Sequence, residues 1–369
     1  MTNIIRKRYF SKILRIRINK NNYKVSLFVT AFLFIIYVRS RIDITTQAIN
    51  KERLQKVKRP KQIGPETFGP EAYGNYTIQM APNLEKLINW TNPRYPYNVT
   101  YLIENPDLCT SVKDDLSVLV VVNSGTEHFD RRLAIRKTWT NNKYYSHLGT
   151  VRVLFLLGMT ANPLVQEGIE EEAEAFRDIL QGDFIDTYLN LTHKGVMGFK
   201  WITERCRNAK MIMKVDDDFV INMFLYFQKV DTVLQSINVF CELIEGRVQR
   251  NKTSKWFVSE DHFRGEARYE RYCEGKFVSM TNDIIPSLYE SAMRTPFFPY
   301  DDVLLFGYVM HNIPGLKYRS ETECMAPKND EAMKCLREQN SKCDNLVIAT
   351  NDVFEMETAW AAILENFGT

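Results

Sequence analysis

Three short segments of the chain, residues 116–122, 151–157 and 211–215, are almost wholly apolar. Such runs, without strict alternation, read as strands buried on both faces. The segments between them carry a helical period instead. Residues 130–139 read as a helix begun by Asp130. Residues 164–180 set Val165, Ile169, Ala173, Phe176 and Leu180 on one stripe, with five glutamates elsewhere. Residues 192–208 repeat the spacing with Val196, Phe199, Ile202 and Cys206. Strands alternating with helices predict an α/β domain, a mostly parallel sheet with helices on both faces. In such sheets ligands bind beyond the carboxyl ends of strands. The third strand delivers Asp216, Asp217 and Asp218 to that edge.

The first hundred residues have a different texture. Residues 25–38 form a 14-residue uncharged, apolar run with no polar face, preceded by eight Lys/Arg and no acid in residues 1–24. The run is short for a membrane span, but Tyr23 and Tyr37 are placed as interfacial anchors, and 38–41 offers no small-residue cleavage site. A single N-terminal transmembrane helix is therefore expected. The remaining 345 residues hold 40 basic against 45 acidic side chains, so the net charge of +3 belongs to the tail and implies no nucleic-acid partner. Five glycosylation sequons, at Asn75, Asn89, Asn98, Asn190 and Asn251, and all seven cysteines follow the run. That asymmetry predicts a cytoplasmic tail (1–24), a signal-anchor (25–38) and a body in an oxidising lumen. Up to three disulfides could form there, with pairing open. Prolines 65, 70, 82, 93 and 96 among polar residues, with three sequons, mark 39–105 as an extended stem, leaving 106–369 as the folded domain.

Three adjacent carboxylates beside a core are costly unless a cation neutralises them. On an extended backbone Asp216 and Asp218 share a direction and could face one hard cation. Oxygen ligands with few protein donors suit Mg²⁺ or Mn²⁺ bridged to phosphates. The competing reading is a solvated acidic turn. No GxGxxG, Walker loop or Cys/His zinc spacing is present.

A series of motifs extends the picture. In chain order they are Arg132-Leu133-Ala134-Ile135-Arg136-Lys137-Thr138-Trp139, Phe155-Leu156-Leu157-Gly158, the fifteen residues from Asp178 to Thr192, Lys194, Met197-Gly198, Lys200-Trp201, Lys214-Val215-Asp216-Asp217-Asp218, Lys255-Trp256, Tyr272-Cys273 and Asp301-Asp302-Val303. Over roughly residues 109–310 this chain resembles the β1,3-galactosyltransferase and β1,3-N-acetylglucosaminyltransferase family, glycosyltransferase family 31. The resemblance implies a GT-A-type nucleotide-sugar-binding fold and a single-pass type II protein of the Golgi membrane. It implies inverting transfer of a hexose or N-acetylhexosamine from a UDP-sugar to a glycoprotein or glycolipid hydroxyl, forming a β1,3 linkage.

The same resemblance implies roles. Asp218 would be the direct Mn²⁺ (or Mg²⁺) ligand, assisted by Asp216, with Asp217 orienting ribose or water. Asp302 maps to the base of an E-D-V motif; without the resemblance it reads as an acidic loop charge. Arg132 and Arg136, one helical turn apart, either contact UDP or pair with surface carboxylates. Trp256 either stacks on an acceptor sugar or packs, and Glu274 lies in the acceptor-side stretch. The chain departs from the family pattern there: Cys273-Glu274-Gly275-Lys276-Phe277 keeps one glycine of a usual glycine-rich turn, and Asp301 replaces the usual Glu. Beyond Gly315 little is familiar. A catalytically inactive lumenal relative acting as chaperone or glycan-binding partner is the alternative; retention of the aspartates argues against it.

Overall fold

The computed structural model describes residues 74–77, 97–111, 116–233, 236–322, 324–326, 328–339 and 342–367. The tail, the apolar run at 25–38 and Asn89 lie outside these residues. Among the described residues no helix is long and apolar enough to cross a membrane.

In chain order the elements are β1 (Gly74–Thr77), β2 (Tyr101–Ile103), β3 (Val118–Asn123), α1 (Phe129–Lys137), β4 (Val151–Met159), α2 (Pro163–Phe176), β5 (Ile179–Ile185), α3 (Leu191–Arg205), β6 (Met211–Asp216), β7 (Phe219–Ile221), α4 (Met223–Val233) and β8 (Val239–Ile244). There follow β9 (Tyr272–Thr281), α5 (Ile285–Met293), α6 (Asp301–Val303, continued by a π turn Leu304–Val309), β10 (Lys317–Ser320), β11 (Met325–Ala326), α7 (Asn329–Gln339), β12 (Val347–Ala349) and α8 (Val353–Phe367). Nine strands form one sheet, ordered β1-β10-β8-β9-β6-β3-β4-β5-β2. β3, β4, β5, β6, β8 and β10 point one way; β1, β2 and β9 run against them. The sheet is mostly parallel, as the buried runs predicted, with antiparallel strands at both flanks.

The alternating side chains of the central strands feed two apolar layers. Leu119, Val121, Leu154, Leu156 and Ile212 face Val196, Phe199 and Ile202 of α3 and Leu288 of α5. Val118, Val120, Val122, Phe155 and Met213 face Ala134 and Ile135 of α1, Ile169 of α2, Phe224 of α4 and Trp360 of α8. Helices therefore cover both faces.

Two local differences from the sequence reading have plain causes. The stripe read as one helix to Leu180 stops at Phe176: Arg177 takes a left-handed conformation (φ 57°), and Ile179 opens β5. A short apolar run following a helix does not reveal from periodicity alone that it has become strand. The second concerns the proposed stem. Within it, β1 pairs antiparallel with β10 and β2 with β5, and Tyr97 and Val99 are buried. Packed structure thus begins before residue 106.

Three disulfides are present, Cys109–Cys206, Cys241–Cys273 and Cys335–Cys343. Cys324 is a buried free thiol. The first ties the segment before β3 to the end of α3, and the second joins β8 to β9.

Candidate active site

Topology alone marks one crevice. From β3 the chain moves outward through β4 and β5, then returns to lay β6 on the other side of β3. The strand order reverses between β3 and β6, and ligands of open α/β sheets bind outside the carboxyl ends at such a point. Asn123 and Asp216, the last residues of these two strands, are paired across it.

The aspartate triplet splits in direction, because the chain turns after β6 instead of staying extended. Asp216 is 40% exposed in its side chain, and its Oδ1 accepts from Lys214 Nζ at 2.8 Å. Asp217 is buried and points the other way. Its Oδ2 meets Ser124 Oγ (2.7 Å), Gly125 N (3.2 Å) and His128 Nδ1 (2.7 Å), and its Oδ1 meets Arg131 Nη1 (3.3 Å). Burial alone would raise its pKa, but His128, Ser124 and Arg131 hold it below the ordinary value. The same contact raises His128. Asp217 thus anchors the start of α1 to the crevice, and both its oxygens accept from protein donors. Asp218 has no side-chain donor among the described residues, while its carbonyl is held by Thr350 N (2.8 Å) and Oγ1 (2.9 Å). Burial, reinforced by Asp217, raises the Asp218 carboxyl.

A second pair of carboxylates arrives from α6. Asp301 is buried, its Oδ2 3.8 Å from Lys214 Nζ and without a hydrogen-bond partner. Asp302 is half-buried, with Oδ1 accepting from Val303 N at 2.8 Å. Burial and the neighbouring Asp301 push Asp302 up to about 7, against the pull of Lys214. Burial likewise pushes Asp216 to about 6, with Lys214 opposing and Asp301 and Asp218 adding to the rise. Lys214 is the buried hub, donating to Asp216 and to the Gly275 carbonyl on β9. Gly275 lets β9 approach closely: a Cβ there would lie 3.1 Å from the Asp302 Cβ, a tight contact. Two carboxylates, Asp216 and Asp301, therefore pair with one buried ammonium, and Asp218 and Asp302 lie close enough to feel its charge.

Arg132 and Arg136 are not in this crevice. Arg132 is 0% exposed; its guanidinium meets Glu172 (2.7–3.1 Å), Ser124 Oγ (3.2 Å) and the Gly125 carbonyl (2.6 Å). Arg136 forms a two-pronged pair with Asp178 (2.7 and 2.8 Å) and a further bond to Glu172 (2.5 Å). The rings of Phe129, Phe155 and Phe176 lie over these guanidinium groups. Both arginines thus pair with carboxylates, as the second of the two sequence readings has it, though with buried carboxylates instead of surface ones. Their neighbour Arg131 is the one that faces the triplet, bonding Asp217 and the Asn351 carbonyl (3.0 Å).

On the acceptor side, Trp256 is exposed and its Nε1 donates to Tyr188 Oη at 2.9 Å. Glu274 is held by Lys276, which also pairs with the buried Glu242, each at 2.5 Å. Of the sequons, Asn98 and Asn251 are exposed; the Asn190 amide donates to the Ile185 carbonyl at 2.8 Å. Asn75 lies on β1, paired with Arg319.

Sequence reasoning assigned no role to Lys214, Asp301, Arg131, Asn123 or Thr350. Lys214 alone carried a signal, a lysine inside an otherwise apolar strand. Both side-chain atoms of Asn123 are buried without partners, and nothing in the sequence marks them.

Among the described residues, no three His, Cys, Asp or Glu side chains converge as a metal cage. Asp216 and Asp218 offer oxygen donors only, and burial with the neighbouring carboxylates raises both pKa values. That donor set fits a hard divalent cation taking its other ligands from phosphate and water.

Residues 130–319 match the family described as galactosyltransferase. β-1,3-Galactosyltransferase 1 of Mus musculus is 32% identical over 217 residues, covering 58% of this chain and 65% of that protein. Lactosylceramide 1,3-N-acetyl-β-D-glucosaminyltransferase of Homo sapiens is 32% identical over 237 residues, covering 60% of this chain and 59% of that protein. The alignments therefore span less than two thirds of these relatives' own length. A solved glycosyltransferase involved in glycosylation of the major capsid of PBCV-1 aligns at 11% identity and a TM-score of 0.33, covering 65% of this chain and 98% of that one, too loosely to carry an argument. With its motifs in order along a matched segment that includes both aspartate clusters, the chain belongs to the galactosyltransferase family.

Proposed function

We propose that this chain is an inverting glycosyltransferase that moves a hexose or N-acetylhexosamine from a UDP-sugar to a glycan hydroxyl, forming a β1,3 linkage. The observation that carries this reading is the crevice between β3 and β6, where Asp216 and Asp301 pair with the buried Lys214 and burial with Asp301 pushes Asp302 up to about 7. The names of the relatives support the sugar and linkage classes.

Asp218 and Asp216 would hold Mn²⁺ or Mg²⁺. When bound, that cation neutralises the charge growing on the diphosphate leaving group. Lys214 fixes the Asp216 carboxylate, and Thr350 fixes the backbone that presents Asp218. Asp302 takes the proton of the acceptor hydroxyl as its oxygen attacks the anomeric carbon and the bond to UDP breaks. A carboxylate with a pKa near 7 is well matched to that proton transfer. Attack from the face opposite the leaving group inverts the anomeric centre in one displacement.

The exposed sequons Asn98 and Asn251 and the three disulfides support a lumenal body, and with the N-terminal apolar run they support a single-pass type II protein of the Golgi membrane. The test is UDP release by the full-length protein from UDP-galactose, UDP-N-acetylglucosamine and UDP-N-acetylgalactosamine, with and without Mn²⁺, followed by NMR of the product linkage. Transfer with inversion is expected from one of these donors. Neither release nor UDP binding with any of them would sink the proposal.

A further inference from the structure

Beneath the crevice, between the sheet and α3, lies a cavity of about 20 Å³. Three polar side chains open into an otherwise apolar wall: Asn123 from β3, Lys214 from β6 and Asp301 from α6. Asn123 follows Val121 by two residues, so strand alternation turns it toward α3 as well. Asn123 and Asp301 are each 7% exposed. Both polar atoms of the Asn123 amide, and Asp301 Oδ2, have no hydrogen-bond partner among the described residues. Lys214 Nζ gives two of its three protons to Asp216 and the Gly275 carbonyl. It stands 3.8 Å from Asp301 Oδ2, too far for a direct hydrogen bond.

Buried polar groups are costly when left unpaired, and three that converge on one cavity call for a shared partner. The chemistry of the wall selects it. The Lys214 ammonium repels a cation, and the Asp301 carboxylate repels an anion. An apolar occupant would leave the amide and the carboxylate unsatisfied. What remains is a small neutral molecule that both donates and accepts. A water needs roughly 10–15 Å³ and two to four polar partners. This cavity meets both conditions, with room for one molecule and no more.

We propose that one buried water ties the Asn123 amide to Lys214 and Asp301, and that Asn123, acting through it, is a positioning residue for α6. The water accepts from Lys214 and from the Asn123 amide and donates to Asp301 Oδ2. It thereby turns a 3.8 Å gap into two hydrogen bonds. The tie reaches the base through the backbone. Asp302 follows Asp301 within the three residues of α6, and its own carboxylate is held only by the Val303 N–H. The aim of Asp302 therefore follows the seating of α6 on the sheet, which the Asp301 carboxylate fixes from below. The effect on rate rests on the glycosyltransferase reading; the water site does not.

The test compares Asn123→Leu and Asn123→Ser in the full-length protein. Leucine has the branched shape of asparagine, but its methyl groups fill the cavity and expel the water; serine keeps a hydroxyl and leaves the water room. Per folded protein, kcat of Asn123→Leu should fall about tenfold with UDP affinity unchanged. Asn123→Ser should stay within about threefold of the wild type. A packing role alone orders the two variants the other way, because serine leaves the larger hole. That reversed order, equal kcat in all three proteins, or UDP affinity lost in step with kcat overturns the positioning role. If the wild-type chain transfers no sugar, the enzyme reading fails by itself, and crystal structures of the full-length proteins decide the water. One density peak within about 3.2 Å of the Asn123 amide, Lys214 Nζ and Asp301 Oδ2, lost in Asn123→Leu, supports it. No peak in the wild type, or one that persists in Asn123→Leu, overturns it.

Discussion

Two clusters of partly buried charge flank the start of α1, and they are opposites. Behind the helix, Arg132 and Arg136 meet Glu172 and Asp178 in closed, multiply hydrogen-bonded pairs under three phenylalanine rings. In front of it, Asp216 and Asp301 pair with Lys214, and Asp218 and Asp302 lie within reach of its charge. The first cluster is neutral within itself, with donors matched to acceptors. The second holds surplus negative charge, which burial converts into raised pKa values. Buried charge marks a working site where it is left uncompensated, because something outside the protein must complete it. Compensated charge serves the fold.

The sharpest way to break this contrast is to remove the front cluster one carboxylate at a time. Asp302→Asn should lower transfer by about 10²–10⁴-fold, the usual worth of a positioned base, with UDP binding retained. Asp218→Asn should instead abolish the cation-dependent part of UDP binding, measured by calorimetry with and without Mn²⁺. Equal loss of binding in both variants would merge roles that the geometry keeps apart. In the rear cluster the expected loss is of a different kind. Arg132→Met leaves Glu172 short of a partner and should cost about 3–5 kcal/mol of stability in urea denaturation, with the donor KM unchanged in the folded fraction. A variant that folds normally but binds UDP weakly would return Arg132 to the nucleotide.

A pH profile separates the clusters more gently. Asp302 must be ionised to accept a proton, and its value of about 7 lies above that of a free carboxylate. The sign follows: kcat/KM should rise with pH up to about 7 and level off above it, falling about tenfold per unit on the acid side. A profile flat from pH 5 to 8 would remove Asp302 from the proton transfer.

The sequence disclosed these regions unequally. The central strands were legible because Val118–Asn123, Val151–Met159 and Met211–Asp216 are buried on both faces and need no alternation. The triplet was legible as three charges where a strand ends. Its division of labour was not, because the turn after Asp216 sends Asp217 toward Ser124 and His128, partners some 90 residues away in the chain. Arg132 and Arg136 shared a helix face in the sequence, but spacing along a helix does not say whether that face meets solvent or the α2 carboxylate Glu172. Asp301 and Lys214 became a pair only when α6 folded over β9, a contact that no local pattern encodes.

The single glycine retained after Cys273 offers the finest test of that last contact. Gly275 sits where β9 passes under α6, and its carbonyl receives the Lys214 ammonium. A methyl group added there would stand 3.1 Å from the Asp302 Cβ and 3.4 Å from Lys214 Nζ, so one neighbour must give by a few tenths of an ångström. The rear cluster lies beyond reach of such a shift, and stability should change little. Transfer is more exacting, since a misplacement of about 1 Å costs roughly a hundredfold. Gly275→Ala is therefore expected to lower kcat several-fold, with the thermal midpoint and UDP affinity near those of the wild type. Loss of UDP affinity instead would mean that Lys214 moves and drags Asp216 with it, making the base and the cation site one mechanical unit instead of two.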